Sequence, residues 1–212
     1  MEHNFWHERW QTANTPFHER EVNPLIVKYF PELAVPAGGR VFVPMCGKTL
    51  DIGWLLARGY RVAGAELSKI AITQLFEQLG PQLAAAPTIA AHGKHQHYSA
   101  PGIDIFVGDI FELSADVLGP VDAVYDRAAL VALPPEMRDR YTAHLMALTG
   151  RAPQLLLNFE YDQSAMPGPP FSVSGDEIRR HYASSYSVNH LAQLDIPGGL
   201  RARPRRRRAC GC

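Results

Sequence analysis

A short strand, a sharp turn, a short helix and a second strand ending in an acid are compressed into residues 40–68, RVFVPMCGKTLDIGWLLARGYRVAGAELS. This order of elements constrains the fold more than any other feature of the chain. Arg40 to Pro44 is β-branched and aromatic, which suits a strand. Pro44, Cys46 and Gly47 break it. Asp51 to Arg58 follows as about two turns of helix, with Ile52, Leu55 and Leu56 at the i, i+3, i+4 spacing of one buried face. Gly59 stands where a helix end favours a residue tolerant of positive φ. Arg61 to Leu67 is the second strand and carries Glu66 near its end. Two strands joined through a helix in so short a length predict a right-handed crossover and a parallel sheet. In such sheets a nucleotide-like ligand lies beyond the carboxyl ends of the strands, where an acid after the second strand can hold a ribose diol. The turn argues against a dinucleotide site. It has one glycine, where that fingerprint needs G-x-G-x-x-G opening a longer helix.

The remaining segments extend the same alternation. Upstream, Asn4 to Gln11 forms an aromatic helix, and Asn23-Pro24 is a cap followed by a first-turn proline. Downstream, Ser68 caps a helix over Lys69 to Leu79, whose Ile72, Leu75, Phe76 and Leu79 share one face. Ile103 to Val107 and Val121 to Tyr125 read as strands, and Pro134-Pro135 opens a helix reaching about Leu148. Gln154 to Tyr161 is a nearly continuous apolar run and therefore a central strand. Ser174 and Glu177 have the spacing of a capping box before a helix. Tyr186 to Leu194 is a late strand, and MPGPPFSVS (166–174) is a loop over a site or surface. Residues 82–101 carry no decisive period. The expected fold class is α/β: a doubly wound, mostly parallel sheet with helices on both faces.

The 212 residues are enough for one domain with a substantial core, assigned to 1–200 with an N-terminal lid over about 1–35. The zero formal charge hides an asymmetry. Residues 201–212, RARPRRRRACGC, hold six arginines and no acid, so the 21 basic residues fall to 15 against 21 acidic ones in the body, a charge of −6. A mildly acidic body lacks the basic footprint of a nucleic-acid binder. No apolar run is long enough for a membrane span. Three cysteines, Cys46, Cys210 and Cys212, are too few for a disulfide framework, and the opening MEHNFWHERWQ has no basic-then-apolar signal; a cytoplasmic protein is expected.

Residues 41–68 closely resemble the first motif of the thiopurine S-methyltransferase family, of bacterial type. The resemblance extends through Phe5-Trp6-His7-Glu8-Arg9-Trp10, Thr15-Pro16-Phe17-His18, Ile105 to Phe111, Tyr125-Asp126-Arg127-Ala128-Ala129-Leu130 and Gly168-Pro169-Pro170-Phe171, covering the chain from residue 3 to about 200. It implies the class I fold of enzymes that use S-adenosyl-L-methionine, and methyl transfer to the sulfur of aromatic or heterocyclic thiols by in-line displacement. Selenium or tellurium species are the alternative acceptors, tied to resistance against those elements. A cofactor-binding protein inactivated by its altered C-terminus is a further alternative. The partner implied is a small molecule, and a monomer is expected.

By the same resemblance the donor would be held by Trp10, Met45, Glu66, Asp109, Ile110 and Arg127. Phe17, His18 and Arg127 would position the acceptor, and no residue is assigned as a covalent catalyst. Cys46 reads as a small buried hydrophobe rather than a nucleophile; Lys48 and Asp51 either fix the turn or face solvent. His92, His95 and His97 are spaced like metal ligands but have no cysteine or carboxylate partner nearby, so no metal is expected. The family's last strand, which lies antiparallel between two others, is expected to be missing or altered here. The arginine-rich 201–212 has no apolar run and reads as a disordered tail, the mark of a shifted reading frame or an anion-binding arm.

Overall fold

A computed structural model describes residues 3–196 and 206–211. The helices are α1 (His3–Gln11), α2 (Pro24–Tyr29), α3 (Asp51–Ala57), α4 (Lys69–Leu79), α5 (Ala115–Leu118), α6 (Pro135–Leu148) and α7 (Gly175–Tyr182). The strands are β1 (Arg40–Val43), β2 (Arg61–Glu66), β3 (Thr88–His92), β4 (His95–Ala100), β5 (Ile103–Val107), β6 (Ala123–Arg127), β7 (Gln154–Glu160), β8 (His190–Ile196) and β9 (Arg206–Gly211). They form one sheet, ordered β3-β4-β5-β2-β1-β6-β7-β9-β8. The five central strands, β5 to β7 in that order, are parallel.

Side-chain alternation along these strands sorts the core into two layers. Val41 and Val43 of β1 point to the side of α2, α3 and α4, where Ile26, Ile52, Leu55, Ile72 and Leu75 are buried. Phe42, between them, points to the side of α5, α6 and α7 and joins Leu118, Tyr141, Leu145 and Ile178. The sheet is therefore doubly wound. Chain order runs from β1 outward to β2 and β5, then returns to β6 on the other flank of β1. The crevice beyond the carboxyl ends of β1 and β6 is the topological switch point, where such folds bind ligands. Gly64 on β2 permits tight packing beneath it: a Cβ there would lie 2.6 Å from Ile105 and 3.0 Å from the Cys46 sulfur.

Two segments go beyond the sequence reading, and the second corrects the disordered tail over 206–211. Residues 88–100, which had no decisive period, form the β3–β4 hairpin with Gly93 in the left-handed region at its turn. The last strand is altered in sequence rather than missing. Arg206–Gly211 runs antiparallel to both β7 and β8, with Leu157 opposite Cys210 and Leu194 opposite Arg208. Backbone pairing supplies the reason. Without β9 the facing edges of β7 and β8 would both present unpaired amides and carbonyls. The rest of the arginine tail, 201–205 and Cys212, lies outside the described residues.

Candidate active site

One cavity opens at the switch point, and six separate segments wall it. They are α1 (Trp6, Arg9, Trp10), the arm after it (Pro16 to Glu19), the turn after β1 (Met45 to Thr49), the end of β2 and the residue after it (Glu66, Leu67), the end of β6 with the turn after it (Arg127, Ala128, Val131, Ala132) and the end of β7 with the loop after it (Phe159, Met166, Pro169, Pro170).

Glu66 is the most committed group. Its side chain is buried, and each carboxylate oxygen accepts one backbone amide at 2.8 Å, Oε2 from Gly47 and Oε1 from Ser68. Burial pushes its pKa up, and the amides of Ser68, Gly47 and Leu67 oppose that rise. A carboxylate has about four acceptor positions, so each oxygen retains room for a further donor. A ribose diol offers two hydroxyl donors, and this donor set fits it. The adjoining turn is left-handed at two residues, Met45 at φ 44° and Gly47 at φ 53°, and only the first is strained by it. Gly47 is needed for closeness as well as conformation, because a Cβ there would stand 3.2 Å from the Trp10 ring.

Trp10 roofs this turn. Its ring meets Phe17 edge-on at 5.6 Å, and Phe17 meets Trp6 at 5.7 Å. Lys48 has its ammonium 5.9 Å from the centre of the Trp10 ring and donates to Gln74 at 2.8 Å. Arg127 clamps the arm from below. Its Nη2 donates to the Phe17 carbonyl at 3.3 Å and pairs with Glu19 at 3.1 Å. His18 lies between those two anchor points and faces the cavity. Burial, Lys48 and Arg127 hold its pKa below the ordinary histidine value, and Glu19 opposes them. The residue after Arg127, Ala128, is left-handed at φ 70°. Strained non-glycine backbone of this kind concentrates at functional sites.

Trp10, Phe17, His18, Met45, Glu66 and Arg127 are thus brought together. Asp109 and Ile110 are not among the cavity's lining residues. Asp109 caps the short turn after β5, accepting from the Phe111 amide at 2.9 Å, and its other oxygen is 3.3 Å from His3 Nε2. Ile110 is buried, and its carbonyl accepts from His144. Cys46 is buried in the wall, where burial raises its thiol pKa well above the ordinary value. Asp51 fixes the turn from behind: its carboxylate accepts from the Asn23 amide and the Tyr125 hydroxyl, joining α2, α3 and β6. His95 binds the Asp109 carbonyl and His97 binds Asp104, and among the described residues no three side chains group as metal ligands. Sequence reasoning missed Trp6, Arg9 and Phe159. The spacing of Trp6 and Trp10, four apart on a helix, is the signal that puts Trp6 on the same face. No helix among the described residues is long and apolar enough to cross a membrane.

Known proteins resemble this chain in fold and in sequence. Solved methyltransferases share the fold. A SAM-dependent methyltransferase from Anabaena variabilis superposes with a TM-score of 0.64 at 16% identity, covering 99% of this chain and 93% of its own. The 1,6-didemethyltoxoflavin-N1-methyltransferase of Burkholderia thailandensis, solved with S-adenosylhomocysteine, gives 0.64 at 15% identity, covering 99% and 85%. Among curated relatives, the thiopurine S-methyltransferase of Xanthobacter autotrophicus is 57% identical over 202 residues, 95% of this chain and 93% of that protein. That of Acinetobacter baylyi is 47% identical over 193 residues, 91% and 89%. A family model described as thiopurine S-methyltransferase (TPMT) matches residues 1–207, and the chain belongs to the thiopurine S-methyltransferase family.

Proposed function

We propose that the protein transfers a methyl group from S-adenosyl-L-methionine to the sulfur of an aromatic or heterocyclic thiol. The observation that carries this reading is Glu66: a buried carboxylate at the end of β2, anchored on two amides and facing a cavity roofed by aromatic rings. Its hydrogen bonds to the ribose would be charge-assisted and about twice as strong as neutral ones. When bound, the donor supplies a methyl group on a sulfonium whose positive charge is lost during transfer. A site for such chemistry gains more from alignment and exclusion of water than from acid chemistry. The chain's residues meet both needs. Trp10 places a ring over the donor turn, and an aromatic face near a cation contributes about 0.5–2 kcal/mol. Phe17, Phe159, Met166, Pro169 and Pro170 add apolar surface to the chamber, suited to a ring-bearing acceptor. Arg127 lines the same cavity and is the cation assigned to a bound thiolate in this reading.

The test couples binding to turnover. Glu66→Ala should weaken donor binding roughly tenfold to a hundredfold, the 1.5–3 kcal/mol typical of hydrogen bonds to a charged group. Calorimetry reads the affinity. Wild-type protein should methylate at least one aromatic member of a panel of thiols and selenols. Unchanged donor affinity in Glu66→Ala sinks the site assignment, and binding without turnover on any acceptor sinks the activity.

A further inference from the structure

We infer that His18 is the proton acceptor that extends methyl transfer to thiols too weakly acidic to be thiolates at neutral pH. The inference rests on the methyl-transfer reading above and adds a catalytic role and an acceptor class to it. Acidic aromatic thiols need no base. An alkyl thiol, with a pKa near 8.5, is only a few per cent thiolate at pH 7, so its turnover depends on a group that can take the proton inside the site.

Three features single out His18. The first is placement: Arg127 holds the carbonyl of the preceding residue, Phe17, and the carboxylate of the following one, Glu19, while the His18 amide donates to the Thr15 carbonyl at 3.0 Å. The arm is therefore pinned on both sides of the imidazole. The second is availability. Cys46 and Glu66 are both buried in the cavity wall, and Glu66 already accepts two amides. The His18 ring engages no hydrogen-bond partner among the described residues, although it lines the cavity. The third is charge. The groups that share the cavity with it are Arg9, Glu19, Lys48, Glu66 and Arg127. Lys48 and Arg127, together with burial, favour the neutral imidazole, the form able to accept a proton. The same two cations favour the thiolate left behind. The balance is closed: the S–H proton moves to a ring nitrogen, the new S–C bond forms as the sulfonium–methyl bond breaks, the donor leaves as a neutral thioether, and the imidazolium returns its proton to water.

The experiment compares an acidic aromatic thiol with an alkyl thiol, in wild type and in His18→Gln, from pH 6 to 9. A positioned general base contributes about 10²–10⁴-fold. The ratio of kcat/KM for the alkyl thiol over the aromatic thiol should fall at least tenfold in His18→Gln at pH 6.5. It should recover as pH rises past the alkyl thiol's own pKa, and added imidazole should restore part of it in His18→Ala. An equal loss on the two thiols with no recovery at high pH overturns the inference, as does an alkyl-to-aromatic ratio that His18→Gln leaves unchanged at pH 6.5. If wild type methylates neither thiol while still binding donor, the methyl-transfer reading fails first and the inference with it.

Discussion

Asp126 offers the sharpest quantitative test of how the site is held. It is fully buried, accepting from the Tyr141 hydroxyl at 2.8 Å and from the amides of Ala129 and Leu130 at 3.1 and 3.3 Å. Those bonds fasten the turn that carries Arg127 and Ala128. Burial raises its pKa from 3.8 to about 6, only partly offset by its three donors. The folded state therefore holds the proton more tightly than the unfolded chain. Between those two pH values the folded protein binds more protons, so this group's contribution to stability falls as pH rises. At 1.36 kcal/mol per pH unit, ionised Asp126 costs about 3 kcal/mol at neutral pH relative to its protonated form. Roughly 2 kcal/mol of that is lost between pH 4.5 and 7.5. Asp126→Asn keeps the shape, an acceptor for both amides and a donor for the Tyr141 oxygen, but cannot ionise. The variant should gain on wild type across that interval by about 2 kcal/mol, or about 4–8 °C in Tm for a chain of this size. Urea melts and calorimetry at pH 4.5, 6 and 7.5 measure it. A difference between the two proteins that does not change with pH would refute the reasoning, because every other titrating group is common to both.

Two further perturbations address the roof and the sheet. Gly47→Ala forces a left-handed φ on a residue with a side chain and presses a methyl group against Trp10 at 3.2 Å; stability should drop by roughly 1–2 kcal/mol and donor affinity should fall with it, whereas a neutral outcome in both would mean that the turn and roof move freely. Removing residues 201–212 takes β9 from between β7 and β8, so the melting temperature should fall and light scattering should rise on storage as two edges become free to pair between molecules; an unchanged melting temperature would mean that β9 contributes nothing to the sheet.

What could be read from the sequence was local. The β1–α3–β2 unit and Glu66 were legible because apolar spacing, a turn glycine and a strand-end acid all lie within thirty residues. Caps were legible for the same reason: Asn23 accepts from the Leu25 amide, Ser68 from Ala71 and Ser174 from Glu177. Where a distant partner competes, local rules stop short. Glu177 has the capping-box position, yet its carboxylate pairs with Arg138 at 2.8 and 3.0 Å, since a buried guanidinium needs a counter-charge more than Ser174 needs a second bond. Asp109 is a turn cap, and a strand-end acid read without its neighbours does not distinguish a cap from a ligand contact. The β3–β4 hairpin did leave a trace, the two residues Gly93-Lys94 between its strands. Its apolar pattern is weak because every residue of β3 is exposed. β9 left none, because its pairing depends on β7 and β8 rather than on its own composition.

The three residues that end β6 show why the cavity belongs to neither layer alone. Alternation sends Tyr125 towards α2 and α3, where its hydroxyl meets Asp51, and Asp126 towards α6, where it meets Tyr141. Arg127, the next residue, turns up to the arm and holds Phe17 and Glu19. Two buried carboxylates on opposite faces of the sheet thus fix the two residues that precede Arg127 in the strand. Burial raises the pKa of Tyr125 and Tyr141 well above the ordinary tyrosine value, so both hydroxyls remain donors across the neutral range. A change in the packing of either layer would reach Arg127 through the β6 backbone, and from Arg127 the residues on both sides of His18. The arm has no rigid element of its own, and its position is specified by β6 through Arg127.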